Sequence, residues 1–113
     1  MKKIKVIAEI GVNHNGKISF AKKLIDQASL AKADFVKFQI YKPEYLTTKN
    51  SKKAKYQSKN LKNSISQLQM LKNYELNDNQ LNLLVKYCKK KKIEFLASCF
   101  DLDSLKKYLK YKP

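Results

Sequence analysis

Three polar side chains that could do chemistry accompany the first apolar run of this sequence. The stretch at residues 4–17 reads IKVIAEIGVNHNGK and carries Glu9, Asn13 and His14. A carboxylate can accept or transfer a proton, and an amide or imidazole can donate and accept hydrogen bonds. Ligands of α/β proteins bind outside the carboxyl ends of parallel strands. The opening therefore predicts a strand that delivers polar groups to a site.

A second polar pair lies inside another apolar run, DFVKFQI, at residues 34–40. Lys37 and Gln39 are two positions apart, so their side chains point to the same side of a strand. A lysine that points into a sheet covered on both faces is costly unless it meets an anion or a carboxylate. The spacing leaves an alternative equally open, in which both residues point to the exposed side of an edge strand.

Hydrophobic periodicity predicts an alternation of strands and helices around these residues. Strands are predicted at residues 4–10, 34–40 and 93–99, and amphipathic helices at residues 20–31, 78–88 and 102–111. The first strand is mostly apolar on both faces, as parallel sheets require. Ser19 and Asp78 are predicted to cap the first two helices. The order βαβαβα indicates an α/β fold with parallel strands and right-handed crossovers.

The connection at about residues 41–77 is too long for an ordinary loop and is rich in Lys, Asn, Ser and Gln. Long insertions after a strand usually belong to the working face of an α/β protein. Within it, residues 64–71 are predicted to form a short amphipathic helix through Ile65, Leu68 and Leu71.

The chain carries 25 Lys and Arg against 9 Asp and Glu, a formal net charge of +16. Such an excess can indicate nucleic-acid binding, because neutralised phosphates supply much of that affinity. Every basic residue is a lysine, however, whereas arginine is favoured for bidentate recognition of phosphate and guanine. We therefore interpret most lysines as solvated surface and do not favour nucleic acid as a partner. A basic polyanion-binding module stays as an alternative.

The sequence gives no sign of a membrane or of an oxidising compartment. No apolar run approaches the roughly 18 residues of a membrane span, and no signal peptide is visible. We therefore expect a cytoplasmic protein without membrane association. Cys88 and Cys99 lack CxxC spacing, so neither a disulfide framework nor a zinc site is predicted. Cys99 has no base partner in the sequence, which favours packing over a catalytic thiol.

Five ordered segments resemble one known family. They are AEIGVNHNG, VKFQIYKPEYLT, KAKYQ, QLQMLKNYELN and EFLASCFD, and they span most of the chain. The same order is found in the sialic acid synthase family, which includes N-acetylneuraminate synthase and the related legionaminic and pseudaminic acid synthases. Five motifs in order are specific, whereas a lone EIG would be weak.

The resemblance implies a (β/α)8 TIM barrel, which in this family is followed by a small antifreeze-protein-like domain. Residues 1–113 would be the first three βα units, with the long insertion after the second strand. We expect the remaining barrel and the C-terminal antifreeze-like domain to be absent from this chain. We expect the isolated chain to be marginally stable and inactive, since unpaired edges of apolar strands promote aggregation. A non-catalytic scaffold that complements a separately encoded remainder is the second alternative.

The resemblance also implies a reaction. Phosphoenolpyruvate condenses with an N-acylated aminosugar such as N-acetylmannosamine and gives a nine-carbon 2-keto acid and phosphate. In the family a divalent metal, Mn²⁺ or Mg²⁺, polarises the sugar aldehyde as a Lewis acid. Its histidine ligands lie on later strands, so no metal ligand is expected in this chain. The full-length family is expected to form homodimers.

Site residues follow from the resemblance position by position. Glu9 matches the acidic residue that faces the reacting carbons, and Lys37 matches the lysine that contacts phosphoenolpyruvate. Gln39 matches a neighbouring glutamine that orients ligand oxygens. Ser98 stands where most members carry threonine, and its hydroxyl could reach the phosphate. This chain reads ASCF there in place of an STPF-like segment, and the missing proline loosens the turn.

Asn13 and His14 match the NHxG segment of the family. One histidine cannot form a metal site alone, so we interpret the pair chiefly as shaping the loop by hydrogen bonds. Both residues are also retained as candidates for contact with the substrate. The glycines on either side, Gly11 and Gly16, would permit positive φ angles or close approach of a ligand.

Overall fold

The computed structural model describes residues 3–46 and 67–113. In chain order the elements are β1 (Ile7–Gly11), α1 (Ile18–Leu30), β2 (Phe35–Ile40), α2 (Asp78–Lys90), β3 (Glu94–Cys99) and α3 (Leu102–Leu109). Residues 43–46 and 67–74 are also helical. The predicted alternation of strands and helices is therefore confirmed.

The three strands form one sheet in the order β1-β2-β3, and both pairings are parallel. Parallel neighbours need a crossover connection, which α1 provides after β1 and α2 provides after β2. The parallel α/β arrangement predicted from the sequence is confirmed. The three strands and their crossover helices have the arrangement of successive βα units of a TIM barrel.

One face of the sheet is packed against the helices. Alternate residues of each strand point to this face, including Val36 and Phe38 of β2, which are fully buried. Phe38 stacks on Phe95 of β3 with ring centroids 5.2 Å apart. The buried core consists of Ile10, Ala21, Ile25, Ala28, Val36, Phe38, Ile40, Leu76, Leu81, Leu84, Cys88 and Ile93. We call this side the covered face.

The opposite side of the sheet, which we call the open face, has no helix packed on it among the described residues. Its side chains come from alternate positions on all three strands and are half-buried or exposed. They are Ile7, Glu9, Phe35, Lys37, Gln39, Glu94, Leu96 and Ser98. The first strand is apolar on both faces as predicted, with Ile10 buried on the covered face and Ile7 50% exposed on the open face.

The predicted helix caps need correction. Helix α1 begins at Ile18, so Ser19 lies inside its first turn, and Lys17 is the N-cap residue without a side-chain hydrogen bond. Helix α2 is capped by Asn77, whose side chain accepts from the Gln80 amide at 2.8 Å, while the Gln80 side chain accepts from the Asn77 amide at 2.9 Å. This reciprocal capping box satisfies two otherwise unpaired backbone donors.

Asp78 is instead the first residue of α2, where a carboxylate is favoured by the helix dipole. It pairs with Lys107 of α3 at 2.8 Å.

The long connection between β2 and α2 is described only at its two ends. Its helical residues 67–74 overlap the predicted helix at residues 64–71, whose first three positions lie outside the described residues. Strand β1 begins at Ile7, and the predicted strand residues 4–6 precede it. In the described ranges, none of the helices has the length and apolar character that a membrane crossing requires.

Candidate functional site

An ion pair on the open face joins the two charged residues singled out from the sequence. The β1–β2 register places Glu9 opposite Lys37, and parallel pairing turns both side chains to the same face. The Lys37 ammonium lies 2.9 Å from the Glu9 carboxylate. Their side chains are 35% and 49% exposed, respectively, so an incoming anion could reach the lysine from solvent. The partner of Lys37 is thus a carboxylate on the neighbouring strand.

Gln39 and Ser98 extend this cluster across the sheet. Gln39 lies two residues after Lys37 on β2, and the β2–β3 register places Ser98 opposite Gln39. The prediction that Lys37 and Gln39 share one side of their strand is confirmed. A carboxylate, an ammonium, an amide and a hydroxyl therefore lie on one face, toward the carboxyl ends of three neighbouring strands. In (β/α)8 enzymes this is the end of the barrel that carries the active site.

Gly11 holds the end of β1 close to these side chains. The β1–β2 register shifts between Glu9 and Gly11, and Gly11 adopts a φ of +57°. A Cβ atom at Gly11 would lie 3.2 Å from Glu9 Oε1 and 3.5 Å from Gln39 Nε2. A bulge next to a site can re-aim a side chain, and glycine provides both the conformation and the space.

The loop after β1 places Asn13 and His14 differently. Asn13 is exposed at this end of the sheet, whereas His14 is fully buried against Phe38 of the covered face, with ring centroids 5.9 Å apart. The His14 Nδ1 accepts a hydrogen bond from the Gly16 amide at 2.8 Å. The geometry agrees with the loop-shaping interpretation of His14. Contact of either residue with a substrate stays a prediction.

The pKa of His14 lies below the ordinary value because burial disfavours the charged imidazolium, and the Gly11 carbonyl opposes this in part. The imidazole is therefore neutral at neutral pH.

Asp101, which the sequence reasoning did not single out, connects two loops beside the site. Its carboxylate accepts hydrogen bonds from the Lys42 and Ser104 amides, both at 2.7 Å. Burial alone would raise the pKa of Asp101, but these amides and the charge of Lys42 together lower it. Asp101 is the N-cap of α3, and its spacing to Ser104 in DLDS is a capping pattern visible in the sequence. The link to Lys42 required the tertiary structure.

Tyr41, which follows β2, was also missed. Its side chain is buried, and its hydroxyl donates to the Leu71 carbonyl of the helical residues 67–74 at 2.7 Å. Burial raises the pKa of Tyr41 to about 12, so the hydroxyl stays protonated and able to donate. The two described ends of the long connection are thus joined to one another next to the site.

The two cysteines are packing residues in the described structure. Cys88 is buried in the core, and burial raises the pKa of its thiol to about 12. Cys99 is half-buried, and burial also raises its pKa. Neither thiol is activated for nucleophilic attack, because the thiolate is the reactive form.

The described side chains do not fit a divalent metal. Within residues 3–46 and 67–113 there is no group of three or more His, Cys, Asp and Glu residues that could hold a metal ion. The carboxylate on the open face, Glu9, is already paired with an ammonium. We therefore derive no chemical step through a metal for this part of the protein.

Curated proteins that are similar to this chain include two synthases of the same name. The chain is 48% identical over 105 residues to the N,N'-diacetyllegionaminic acid synthase of Campylobacter jejuni. The aligned region covers 93% of this chain and 31% of that protein. The chain is 42% identical over 100 residues to the enzyme of the same name from Legionella pneumophila, covering 88% and 28%. The chain thus spans about a third of the length of these relatives.

A solved structure agrees with the fold. The N-acetylneuraminic acid (sialic acid) synthetase of Leptospira borgpetersenii serovar Hardjo-bovis, solved in complex with citrate, aligns with a TM-score of 0.77 at 30% identity. The alignment covers 94% of this chain and 32% of that structure. The NeuB family matches residues 24–112, which include β2, β3, α2, α3 and the second half of α1. This match and the close relatives show that the chain belongs to the NeuB family.

Proposed function

We propose that this chain supplies one part of the active site of a sialic-acid-type synthase, which joins phosphoenolpyruvate to an N-acylated aminosugar such as N-acetylmannosamine. The product is a nine-carbon 2-keto acid. The observation that carries the proposal is the ion pair between Lys37 and Glu9 on the open face, with Gln39 and Ser98 beside it. The names of the relatives, which are legionaminic acid and sialic acid synthases, support the choice of reaction.

In this proposal Lys37 binds phosphoenolpyruvate. An ammonium that is 35% exposed can leave its contact with Glu9 and pair with a carboxylate or phosphate group. The exchange costs little, because an exposed ion pair contributes only about 0–1 kcal/mol to stability. Gln39 would orient a ligand oxygen through its amide, and Ser98 would donate its hydroxyl to the phosphate.

The reaction balances without a further co-reactant except water. The enol carbon C3 of phosphoenolpyruvate forms a bond to the aldehyde carbon of the open-chain sugar, whose oxygen takes a proton. Water adds to the cationic C2, and phosphate leaves as the C2–O bond breaks. Glu9, released from Lys37 when the anion binds, would accept a hydrogen bond from the sugar or take part in the proton transfers.

The test uses a chimera in which this chain replaces the aligned segment of the Campylobacter jejuni relative. With phosphoenolpyruvate, Mn²⁺ and either N-acetylmannosamine or that relative's own sugar substrate, we expect release of inorganic phosphate that depends on the sugar. Lys37→Met removes the charge but keeps the length of the side chain. It should raise KM for phosphoenolpyruvate at least tenfold, as expected for a lost charge-assisted contact of about 1.5–3 kcal/mol.

The matched control is Lys86→Met, which removes an exposed lysine of α2 on the other side of the sheet. This variant should keep the KM of the unsubstituted chimera. A folded chimera that releases no phosphate with either sugar contradicts the proposed reaction. Equal effects of the two lysine variants contradict the role of Lys37.

The chain's exposed apolar edges support a second candidate function, that of a complementation partner which docks onto a separately encoded remainder. On α3 the exposed apolar residues are Leu102, Leu105 and Leu109. On the β1 side, Ile4 and Val6 are 89% and 53% exposed. Such edges need a covering partner. Co-expression with the rest of the Campylobacter jejuni relative as a separate chain should yield a co-purifying complex, and two chains that elute separately would exclude this candidate.

A further inference from the structure

A buried imidazole lies under the loop that follows β1. His14 is fully buried and its ring rests against Phe38. The loop folds over it through hydrogen bonds from the Asn13 amide to the Ile10 carbonyl and from the Lys17 amide to the His14 carbonyl, both at 3.0 Å. Burial of a polar ring costs free energy unless its nitrogens are hydrogen-bonded.

One ring nitrogen has a clear partner. Nδ1 accepts from the Gly16 amide at 2.8 Å, so the proton of the neutral ring must lie on Nε2. Nε2 is buried and has no hydrogen-bond partner among the described residues. The Gly11 carbonyl favours a proton on the ring but forms no hydrogen bond of good geometry with Nε2, whereas the bond from the Gly16 amide to Nδ1 is well formed.

Gly16 is the point where this loop contacts the returning end of the long connection. Its φ is +74°, and a Cβ atom there would lie 1.9 Å from the Asn73 carbonyl oxygen and 3.1 Å from the Asn73 carbonyl carbon. The backbone of the loop thus lies directly on the last turn of the helical residues 67–74. The same helix accepts a hydrogen bond from the Tyr41 hydroxyl at the Leu71 carbonyl.

The other end of the loop reaches the candidate site. Gly11, at the end of β1, lies against the carboxylate of Glu9 and the amide of Gln39. The loop between Gly11 and Gly16 therefore joins the open-face cluster to the helical residues 67–74, and His14 is its buried side chain.

We propose that His14 is a positioning residue that fixes Gly16 through Nδ1. By fixing Gly16, it sets the position of residues 67–74 and of the end of β1 that carries Glu9. His14 does not touch the substrate in this role. The inference rests on the proposed function only for its effect on catalysis, since the structural effect stands by itself. It assigns a purpose to a buried histidine that the reaction described above does not use.

Two variants separate the hydrogen bond from simple packing. His14→Asn keeps an acceptor, because an asparagine side chain readily accepts from the amide two residues later, but it loses the ring against Phe38. His14→Phe keeps an aromatic ring on Phe38 and has no acceptor. Positioning through Nδ1 predicts that the phenylalanine variant is the more damaging of the two at Gly16.

The experiment is amide hydrogen exchange on the chimera described above, with and without these substitutions. In His14→Phe we expect the Gly16 amide and the amides of residues 67–74 to exchange at least tenfold faster than in the unsubstituted chimera. The amides of α2 are the internal reference and should keep their exchange rates. His14→Asn should retain protection at Gly16 within about threefold, which corresponds to less than about 0.7 kcal/mol. In turnover, His14→Phe should lower kcat while KM for phosphoenolpyruvate changes less than in Lys37→Met.

A measurement on the unsubstituted chimera covers the case in which a variant fails to fold. When ¹⁵N-histidine is introduced only into the segment supplied by this chain, in which His14 is the one histidine, its signals need no variant for assignment. They should show an unprotonated Nδ1 and a protonated Nε2. The opposite tautomer would overturn the proposal. So would a phenylalanine variant with unchanged protection, or equal losses in both variants.

These outcomes are distinct from failure of the proposed function. A chimera that shows the predicted tautomer and exchange pattern but releases no phosphate would contradict the reaction and leave the positioning role standing as a structural one. An active chimera in which Nδ1 of His14 carries the proton would support the proposed reaction and contradict the positioning role.

Discussion

The two faces of the sheet come from the same three strands and are built in opposite ways. On β2 the covered face receives Val36 and Phe38, which are fully buried, while the open face receives Lys37 and Gln39, which are half-buried. The covered face supplies the apolar contacts that hold the helices on the sheet. The open face presents polar groups at the carboxyl ends of the strands.

The difference indicates a separation of tasks within single strands. Burial of apolar area is the main favourable term in folding, so substitutions on the covered face should change the free energy of unfolding. A solvent-accessible ion pair contributes little to stability, so substitutions on the open face should change binding and turnover instead. Substitutions on each face and changes of pH test this separation.

The largest effect is expected from Phe38→Ala. Removing a fully buried aromatic ring leaves a cavity and should lower the free energy of unfolding of the chimera by about 3–5 kcal/mol. Phe20→Ala is the matched control, because Phe20 is also a phenylalanine but lies on α1 and is 41% exposed. Urea titration monitored by circular dichroism should give a loss for Phe20→Ala of less than half as much. Equal losses would mean that burial on the covered face does not set the stability.

A smaller effect is expected from mild acid. The pKa of His14 is lowered from 6.5 in the folded state, so the unfolded chain binds more protons below that value. Stability is therefore full above about pH 6.5 and decreases as the pH falls toward the lowered folded pKa. Urea titrations of the chimera between pH 7.5 and 5 should show this decrease, and its size should shrink in His14→Asn.

Asp101 provides the contrast when these titrations are extended below pH 4. Its pKa is also lowered, from an ordinary value of 3.8, so its contribution is present above that value and is lost as the pH falls through the folded pKa. The His14 step should thus come first on acidification. A decrease confined to the region below pH 4 would contradict the assignment of the upper step to His14.

The smallest change in stability is expected from Lys37→Met. The exposed pair with Glu9 should be worth about 0–1 kcal/mol, so the midpoint of urea unfolding should hardly move while KM for phosphoenolpyruvate rises. Glu9→Gln, which removes the charge of the partner, should likewise leave the midpoint nearly unchanged. A loss of several kcal/mol in either variant would mean that the ion pair is part of the fold rather than of the site.

Much of the fold could be predicted because its signals are local. The runs that became β2 and β3 are short, apolar and bounded by turns, and α1 and α2 show apolar residues at helical spacing. The predicted caps at Ser19 and Asp78 were wrong, because the identity of a cap depends on the one residue at which the helix starts. For α2 the start is marked by the capping box of Asn77 and Gln80, a local pattern that the sequence reasoning overlooked. For α1 the N-cap residue, Lys17, makes no side-chain capping bond, so the sequence carries no such signal there.

The candidate site could be predicted in composition but not in arrangement. Period-two alternation placed Lys37 and Gln39 on one side, and the family motifs suggested Glu9 and Ser98. The choice between an anion partner and an exposed edge for Lys37 required the neighbouring strand. In the structure Lys37 is both partly exposed and paired with a carboxylate.

By itself, the sequence determined the order of strands and helices, their parallel arrangement and the family, since each depends on short patterns read along the chain. Only the tertiary structure decided which side chains meet: the register that joins Glu9 to Lys37, the burial of His14, and the contact of Gly16 with Asn73. The physical reason is that register and loop contacts depend on pairs far apart in the chain. Their geometry is fixed by packing and not by local preference.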